Sequence, residues 1–335
     1  MVGRFRYIEK LEMKRYFIPL IIIIVVYGQD TKQVITERHN NRTKKLVLEY
    51  KGEGIDEELV TKYGFYENGM KEFVEEYENN LLVAKYGYYG NGLKEFIEEY
   101  KNNLKDGLNA NWYKNGQKKS EGNYKNGKMN GEWTYYWKNG GIKGKGSFKD
   151  GNGIDISKVS GIHNNGRNGD WITYYEDGNK WQSLTYNNGL LDGEFIWWYR
   201  NGQKKIQDTF KDGKRNGLFT EYYENGSGNI RKIYQYKDGL ADGMQNSFWE
   251  NGNKFSQSEY LGGNWVSLVL YYPNGQKKIS GKIGEKWKKW EGFNENGSRM
   301  KKKVLKKHMI ELGVTTSNTT KLLRAIKTID EVLPK

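Results

Sequence analysis

The chain has 335 residues, and its 55 Lys and Arg against 41 Asp and Glu give a net charge of +14. It has no cysteine, which excludes disulfides, thiolate zinc sites and cysteine nucleophiles. Aromatic residues reach 15%, which argues against simple disorder, and 42 glycines argue against a helical bundle. This composition predicts many short aromatic strands joined by glycine turns.

The N-terminal segment has the three parts of a secretory signal peptide. A basic stretch precedes an apolar run over residues 17–26, and Val26 and Gly28 occupy the −3 and −1 positions of a cleavage site. The run is shorter than the roughly 20 residues that span a bilayer. We therefore predict a signal peptide over residues 1–28 and a protein exported to the periplasm, the cell surface or the medium. The alternative is a buried strand over residues 20–26.

A repeat of about 24 residues fills the centre of the chain. It is marked by ten Asn-Gly or Asp-Gly pairs whose glycines are 22 to 26 residues apart, except for one spacing of 38. The glycine of each pair is taken as position zero of its repeat, and the ten are Gly69, Gly92, Gly116, Gly140, Gly178, Gly202, Gly226, Gly252, Gly275 and Gly297. A weaker copy precedes them at Asn40-Asn41.

Aromatic residues have fixed places in these repeats. Position −4 is aromatic in all ten repeats, and position −3 is aromatic in the first nine. Asn-Gly pairs suit the type I′ turn of a β-hairpin, and a lone hairpin is only marginally stable, so neighbouring hairpins must stack. The repeat therefore predicts an all-β fold, an elongated solenoid of stacked antiparallel β-hairpins with a short helical C-terminal tail.

From the signal peptide, the repeats and the tail, we predict a chain of four parts. The signal peptide is followed by an N-terminal cap with a degenerate repeat at 29–61, by hairpin repeats at 62–297 with an insertion at 151–166, and by a basic helical tail at 298–335.

The repeat resembles the bacterial MORN-repeat variant. Its clearest copies are residues 131–140, GEWTYYWKNG, and residues 169–178, GDWITYYEDG. The resemblance implies a β-hairpin solenoid used for binding. It implies either an antitoxin component, as in the YwqK family, or an exported surface protein of a host-associated bacterium. Neither role brings catalytic residues with it.

Cations also recur, at position +2 of eight repeats. If the turn has two residues, position +2 lies opposite position −3, and stacking places the cations beside aromatic rings. The candidate binding residues are Lys71, Lys94, Lys118, Lys180, Lys204, Lys254, Lys277, Arg299, Trp112, Tyr136, Tyr174, Trp198 and Tyr222. This pattern predicts a track for an anionic polymer or a protein. The alternative is a solvated edge whose lysines cover rings and oppose aggregation.

Adjacent aromatics at −4 and −3 point to opposite faces of a strand. One face must be packed. The other presents rings that suit sugar or protein binding, unless the solenoid closes into a flattened core.

The insertion predicts one irregular hairpin. Asp150, Asn152 and Asp155 in it weakly resemble a calcium loop but lack its spacing and its distal glutamate, so a turn is favoured and no metal site is predicted.

The C-terminal tail from Ser298 carries ten Lys and Arg and three Asp and Glu. Its apolar spacing predicts a helix near residues 304–312 and a second near 319–333. The alternatives are a solenoid end-cap, a contact with an anionic or membrane surface, and, least favoured, DNA binding.

Enzyme motifs are absent, and His39, His163 and His308 lie far apart and outside the repeat pattern. The sequence therefore predicts a non-enzymatic exported scaffold, without cofactor, that binds a protein or an anionic surface polymer. The alternative is a cytoplasmic antitoxin-like protein that neutralises a partner toxin.

Overall fold

The computed structural model describes residues 26–27 and 31–312. The predicted signal peptide, apart from residues 26–27, and the second tail helix lie outside the described residues. No helix in the described part of the chain is long and apolar enough to span a bilayer.

The chain divides into two units, the first ending at Asn103 and the second starting at Leu104. The strands of the first unit are β1 (Val26–Tyr27), β2 (Thr31–Arg38), β3 (Lys44–Lys51), β4 (Glu58–Phe65), β5 (Lys71–Glu78), β6 (Leu81–Tyr88) and β7 (Lys94–Lys101). A 3-10 helix, Gly54–Asp56, lies between β3 and β4. Each strand pairs antiparallel with the next.

The second unit contains the remaining strands and the helix. Its strands are β8 (Leu104–Trp112), β9 (Lys118–Lys125), β10 (Lys128–Tyr136), β11 (Ile142–Gly151), β12 (Arg167–Tyr174), β13 (Lys180–Asn187), β14 (Leu190–Trp198), β15 (Lys204–Lys211), β16 (Lys214–Arg215), β17 (Gly217–Tyr222), β18 (Ile230–Lys237), β19 (Leu240–Ala241), β20 (Gly243–Phe248), β21 (Lys254–Leu261), β22 (Asn264–Tyr271), β23 (Lys277–Lys282) and β24 (Glu291–Gly292). A 3-10 helix, Trp287–Lys289, and α1 (Lys302–Glu311) complete it. The nearly all-β architecture of solenoid-like hairpin repeats with a short C-terminal helix confirms the predicted fold class.

Two kinds of turn alternate along the repeats, and the prediction for one of them was wrong. At Asn68-Gly69 only the glycine has positive φ, at 82°, and its N–H donates to the carbonyl of Tyr66. That geometry is a type I turn followed by a G1 bulge, with a three-residue loop. The predicted type I′ geometry occurs instead at the second turn of the repeat, as in Asn126-Gly127, where φ is 48° and 79°.

Side chains at position −3 link most repeats to the next. Tyr199 is typical, because its hydroxyl donates to the carbonyl of Tyr222, at position −4 of the following repeat, at 2.9 Å. The same bond is made by Tyr66, Tyr113, Trp137, Tyr175, Tyr223 and Tyr272. The weak first copy follows the pattern as well, since His39 Nε2 lies 2.7 Å from the carbonyl oxygen of Phe65. His39 therefore belongs to the repeat, contrary to the prediction from sequence.

In most repeats the asparagine of the Asn-Gly pair makes a second link to the next repeat. The amide of Asn115 donates to the carbonyl of Lys138 in the next turn, at 2.9 Å, while its oxygen accepts the N–H of Gln117. An aspartate has no amide to donate. Where Asp177 occupies this position, Asn179 donates to the carbonyl of Arg200 instead.

One face of the hairpins carries the buried rings, and we name it the packed face. In the second unit its main cluster contains Met129, Trp133, Tyr135, Phe148, Ile162 and Trp171. The rings lie flat across glycines of the neighbouring strand: a Cβ on Gly146 would come within 2.3 Å of the Trp171 indole. Each such glycine therefore provides the space for one aromatic ring.

The insertion forms the irregular hairpin that the sequence predicts. Ile156 and His163 form an isolated antiparallel bridge, and Ile162 is fully buried against the packed face. The side chain of Asn152 is bonded within the turn. Its amide donates to Asp155 Oδ2 at 2.7 Å, and its oxygen accepts the N–H of Ile154. These contacts support the turn over the calcium loop.

Helix α1 closes the last strands of the second unit. Its Leu305 and Met309 are buried with Leu268, Ile279 and Trp290. This packing is that of an end-cap, the first of the three roles considered for the tail.

Candidate functional site

The cations at position +2 lie opposite the aromatic residues at position −4. Trp198 pairs with Lys204 in the hairpin register, and Tyr174 pairs with Lys180. The prediction that +2 lies opposite −3 was wrong, because the loop has three residues instead of two. The corresponding pairs are Phe65–Lys71, Tyr88–Lys94, Trp112–Lys118, Phe248–Lys254, Tyr271–Lys277 and Phe293–Arg299.

Two predicted rings lack the cation. Tyr136 pairs with Ile142, and Tyr222 pairs with Ile230. Every ring at −4 is half-buried, and every +2 cation is exposed except Lys118, which is half-buried. Within each unit, the residues at −4 and +2 form what we name the aromatic–lysine stripe. They lie on the face opposite the packed face, so the core does not cover them.

The rings at position −3 have other cations as neighbours. Lys143 Nζ lies 4.8 Å from the centre of the Trp137 ring, and Lys205 Nζ lies 5.2 Å from that of Tyr199. These lysines occupy position +3. Burial lowers the pKa of Lys143, with a further contribution from Lys119. Lys143 and Lys205 thus lie over rings at position −3, while the +2 lysine Lys180 lies over a ring of position −4, Trp198.

The stripe holds a hydrogen-bonded group at Glu121. The carboxylate accepts one hydrogen bond from the Lys118 ammonium at 2.6 Å and another from the Tyr136 hydroxyl at 2.6 Å. Burial opposes ionisation, but these two hydrogen bonds hold the pKa of Glu121 below its usual range. Burial and the bond to Glu121 raise the pKa of Tyr136 to about 12. Lys118 is therefore paired with Glu121 within the molecule.

A groove of about 600 Å³ lies on the same face as the stripe, across three consecutive repeats. We name it the central groove. Its side chains on this face are Glu132, Thr134, Lys145, Ser147, Asp170, Ile172, Ser183, Thr185 and Glu194. This groove was not predicted from the sequence. Its signal in the sequence is the carboxylate at position −8 of three consecutive repeats, Glu132, Asp170 and Glu194.

Three cross-strand pairs of a carboxylate and a hydroxyl mark these repeats. Glu132 lies opposite Ser147, Asp170 opposite Thr185, and Glu194 opposite Thr209. The Thr185 hydroxyl donates to Asp170 at 2.8 Å. In the neighbouring repeats, position −8 holds Leu108, Leu218 and Met244. Carboxylates at position −8 are therefore a property of the central groove and not of the repeat.

Histidines and acids do not assemble a metal site in the described part of the chain, where no group of three or more such side chains could hold an ion. His163 Nδ1 lies 2.9 Å from the Tyr135 hydroxyl oxygen. Burial is the main cause that lowers the pKa of His163.

Four of the repeats match the family model of the MORN repeat variant. The matched residues are 105–126, 129–150, 167–188 and 191–212. All four lie in the second unit, and three of them form the central groove. The matched repeats therefore include those that line the central groove.

No curated protein matches the chain. The crystal structures described as TcdB2-TccC3 and TcdB2-TccC3-Cdc42 match at 10% identity over 81% of this chain, with a TM-score of 0.15. This chain covers only 17% and 16% of theirs. A likeness of this size carries no argument about function.

Proposed function

We propose that the protein is a non-enzymatic repeat scaffold that binds an extended anionic surface polymer along its aromatic–lysine stripe. The observation that carries the proposal is the direct pairing of a half-buried ring with an exposed cation, repeated on the face that the core leaves uncovered. In the second unit these pairs include Tyr174–Lys180, Trp198–Lys204 and Phe248–Lys254.

The recurrence of the pair suits a polymer. Successive repeats are two strands apart, which places equivalent side chains roughly 10 Å from one another. A ligand with regularly spaced negative charges can meet one cation in each repeat, and the adjoining ring supplies apolar contact and a cation–π partner. Lys180 Nζ, for example, lies 5.7 Å from the centre of the Trp198 ring in the next repeat.

The experiment measures binding of the full chain to poly-L-glutamate at low salt, with dextran as the uncharged comparison. We expect the triple variant Lys180→Gln, Lys204→Gln, Lys254→Gln to bind about tenfold more weakly. Its matched control is Lys125→Gln, Lys211→Gln, Lys237→Gln, which removes the same charge from exposed residues beside the second turns. Equal weakening by both triples would mean that net charge alone drives binding, and would overturn the proposal.

We further propose that the protein is exported, on the strength of the signal-like segment at 1–28. Fractionation of cells that make a C-terminally tagged chain, with N-terminal sequencing, tests this. A product that starts near Gln29 in the envelope or the medium would support it. An intact cytoplasmic product would overturn export and would direct the search to the alternative, a toxin partner.

A further inference from the structure

We infer that the central groove binds an extended β-1,4-linked glycan strand. The inference rests on the proposed function, since the groove lies on the same face as the aromatic–lysine stripe, and it names the class of polymer.

The chemistry of the groove is that of a sugar site. Glu132, Asp170 and Glu194 are exposed carboxylates, and each lies opposite a hydroxyl residue. Carboxylates accept hydrogen bonds from sugar hydroxyls, while serine and threonine both accept and donate. Such a mixture matches a ligand whose surface consists of hydroxyl groups.

The charge of the groove selects against a polyanion. Three carboxylates face one lysine, Lys145, among the side chains on this face. A highly charged anionic chain that lay directly over them would be repelled. A strand that is uncharged where it crosses the groove avoids this repulsion, and any acidic substituents on it can reach the lysines of the stripe.

Aromatic rings border the groove. Tyr136 and Tyr174 stand two residues along their strands from the groove residues Thr134 and Ile172, on the same face. Trp198 stands four residues along β14 from the groove residue Glu194, also on that face. Sugar rings have apolar faces that stack on such side chains, and the hydroxyls around them then reach polar partners.

The spacing suits a β-1,4 linkage. Neighbouring strands are about 4.8 Å apart, and carboxylates in successive repeats are therefore roughly 10 Å apart. One sugar of an extended β-1,4-linked chain advances by nearly one strand step, and the disaccharide by nearly one repeat. An α-1,4-linked chain coils and loses this match.

The test is calorimetric titration of the full chain with the β-1,4-linked hexamers of N-acetylglucosamine and of glucose, and with the α-1,4-linked glucose hexamer. We expect saturable binding of at least one β-linked hexamer and none of the α-linked hexamer. The double variant Asp170→Asn, Glu194→Gln should weaken binding about tenfold. Glu259→Gln, a carboxylate on the same face outside the groove, should leave it unchanged.

A second pair of variants tests the rings. Trp197 and Trp198 are adjacent on β14 and point to opposite faces. Trp198→Ala should weaken binding about tenfold, and Trp197→Ala, which removes the same side chain from the packed face, should not.

The outcomes separate the two proposals. If neither β-linked hexamer binds while poly-L-glutamate still binds through the stripe, the glycan inference fails and the proposed function stands. If neither class binds the folded chain, both fail. Binding that the double variant leaves intact, or equal binding of the α-linked hexamer, would also overturn the glycan inference. Binding of an oligolysine peptide that Asp170→Asn, Glu194→Gln weakens, with no binding of either β-linked hexamer, would overturn it as well.

Discussion

Single glycines decide whether the aromatic rings can pack. Gly146 has ordinary backbone geometry, and it is required because the Trp171 indole occupies the space where a Cβ would project. A side chain there forces the ring to move within a buried cluster.

We therefore predict that Gly146→Ala destabilises the second unit by about 1–3 kcal/mol, the usual cost of overpacking a core. The free energy of urea unfolding measures this. Gly90→Ala is the control, because its Cβ would meet no atom within 4 Å and its φ is not positive. Equal midpoints for Gly146→Ala and the wild type would contradict the packing argument.

Asp208 is one residue whose burial links stability to pH. Its side chain is 1% exposed, and Arg215 Nε lies 2.7 Å from its Oδ2. Burial raises the pKa of Asp208 above its ordinary value of 3.8, against the opposing effect of Arg215. Because folding favours the protonated form, this contribution to stability is full below the ordinary value and is lost as pH rises through the pKa of the folded state.

We predict that Asp208→Asn, which remains neutral, gains stability relative to the wild type as pH rises from about 4 to about 7. Urea midpoints of both proteins at the two pH values give the comparison. A difference that shrinks with rising pH would show that the pair with Arg215 outweighs burial.

At the scale of the structural element, side-chain hydrogen bonds connect most hairpins to the next one. The Tyr199 hydroxyl and the carbonyl of Tyr222 form one such bond. Removing a hydroxyl from a bond of this kind costs about 1 kcal/mol.

Tyr199→Phe should therefore lower the free energy of unfolding by about 1 kcal/mol, as measured by urea titration. Tyr222→Phe serves as its control, because it alters the ring of the acceptor residue and leaves the accepting carbonyl in place. If both variants lose the same stability, the link between repeats is not the cause.

The sequence predicted hairpins and their approximate length because Asn-Gly pairs and aromatic residues recur at fixed spacing. It misplaced the lysines of the stripe, because Asn-Gly fits both a type I′ turn and the bulged turn observed at Gly69. One additional loop residue moves the cation from the ring at −3 to the ring at −4. It also missed the central groove, since Glu132 and Ser147 meet only through pairing between strands.

At the scale of the whole molecule, repeats contact only their neighbours in each unit, so damage at one end should remain local. Met309 in α1 is fully buried against the last strands of the second unit, while the adjacent Ile310 is 56% exposed. We predict that Met309→Ala costs about 2–5 kcal/mol at that end, with little effect from Ile310→Ala.

Native-state hydrogen exchange provides the measurement. Amide protection should fall in residues 264–292 and persist in the earlier repeats of that unit. Loss of protection throughout the unit would contradict independent stacking.

The direction of the inter-repeat bonds has a consequence for how such a chain can change in length. Each repeat offers side-chain donors to its successor and carbonyls to its predecessor, as Tyr175 and Tyr199 do in turn. A tandem duplication cut at equivalent positions leaves each donor with an acceptor of the same kind. A gene for this protein can therefore grow or shrink by whole repeats through unequal recombination while these hydrogen bonds across the new junction are kept.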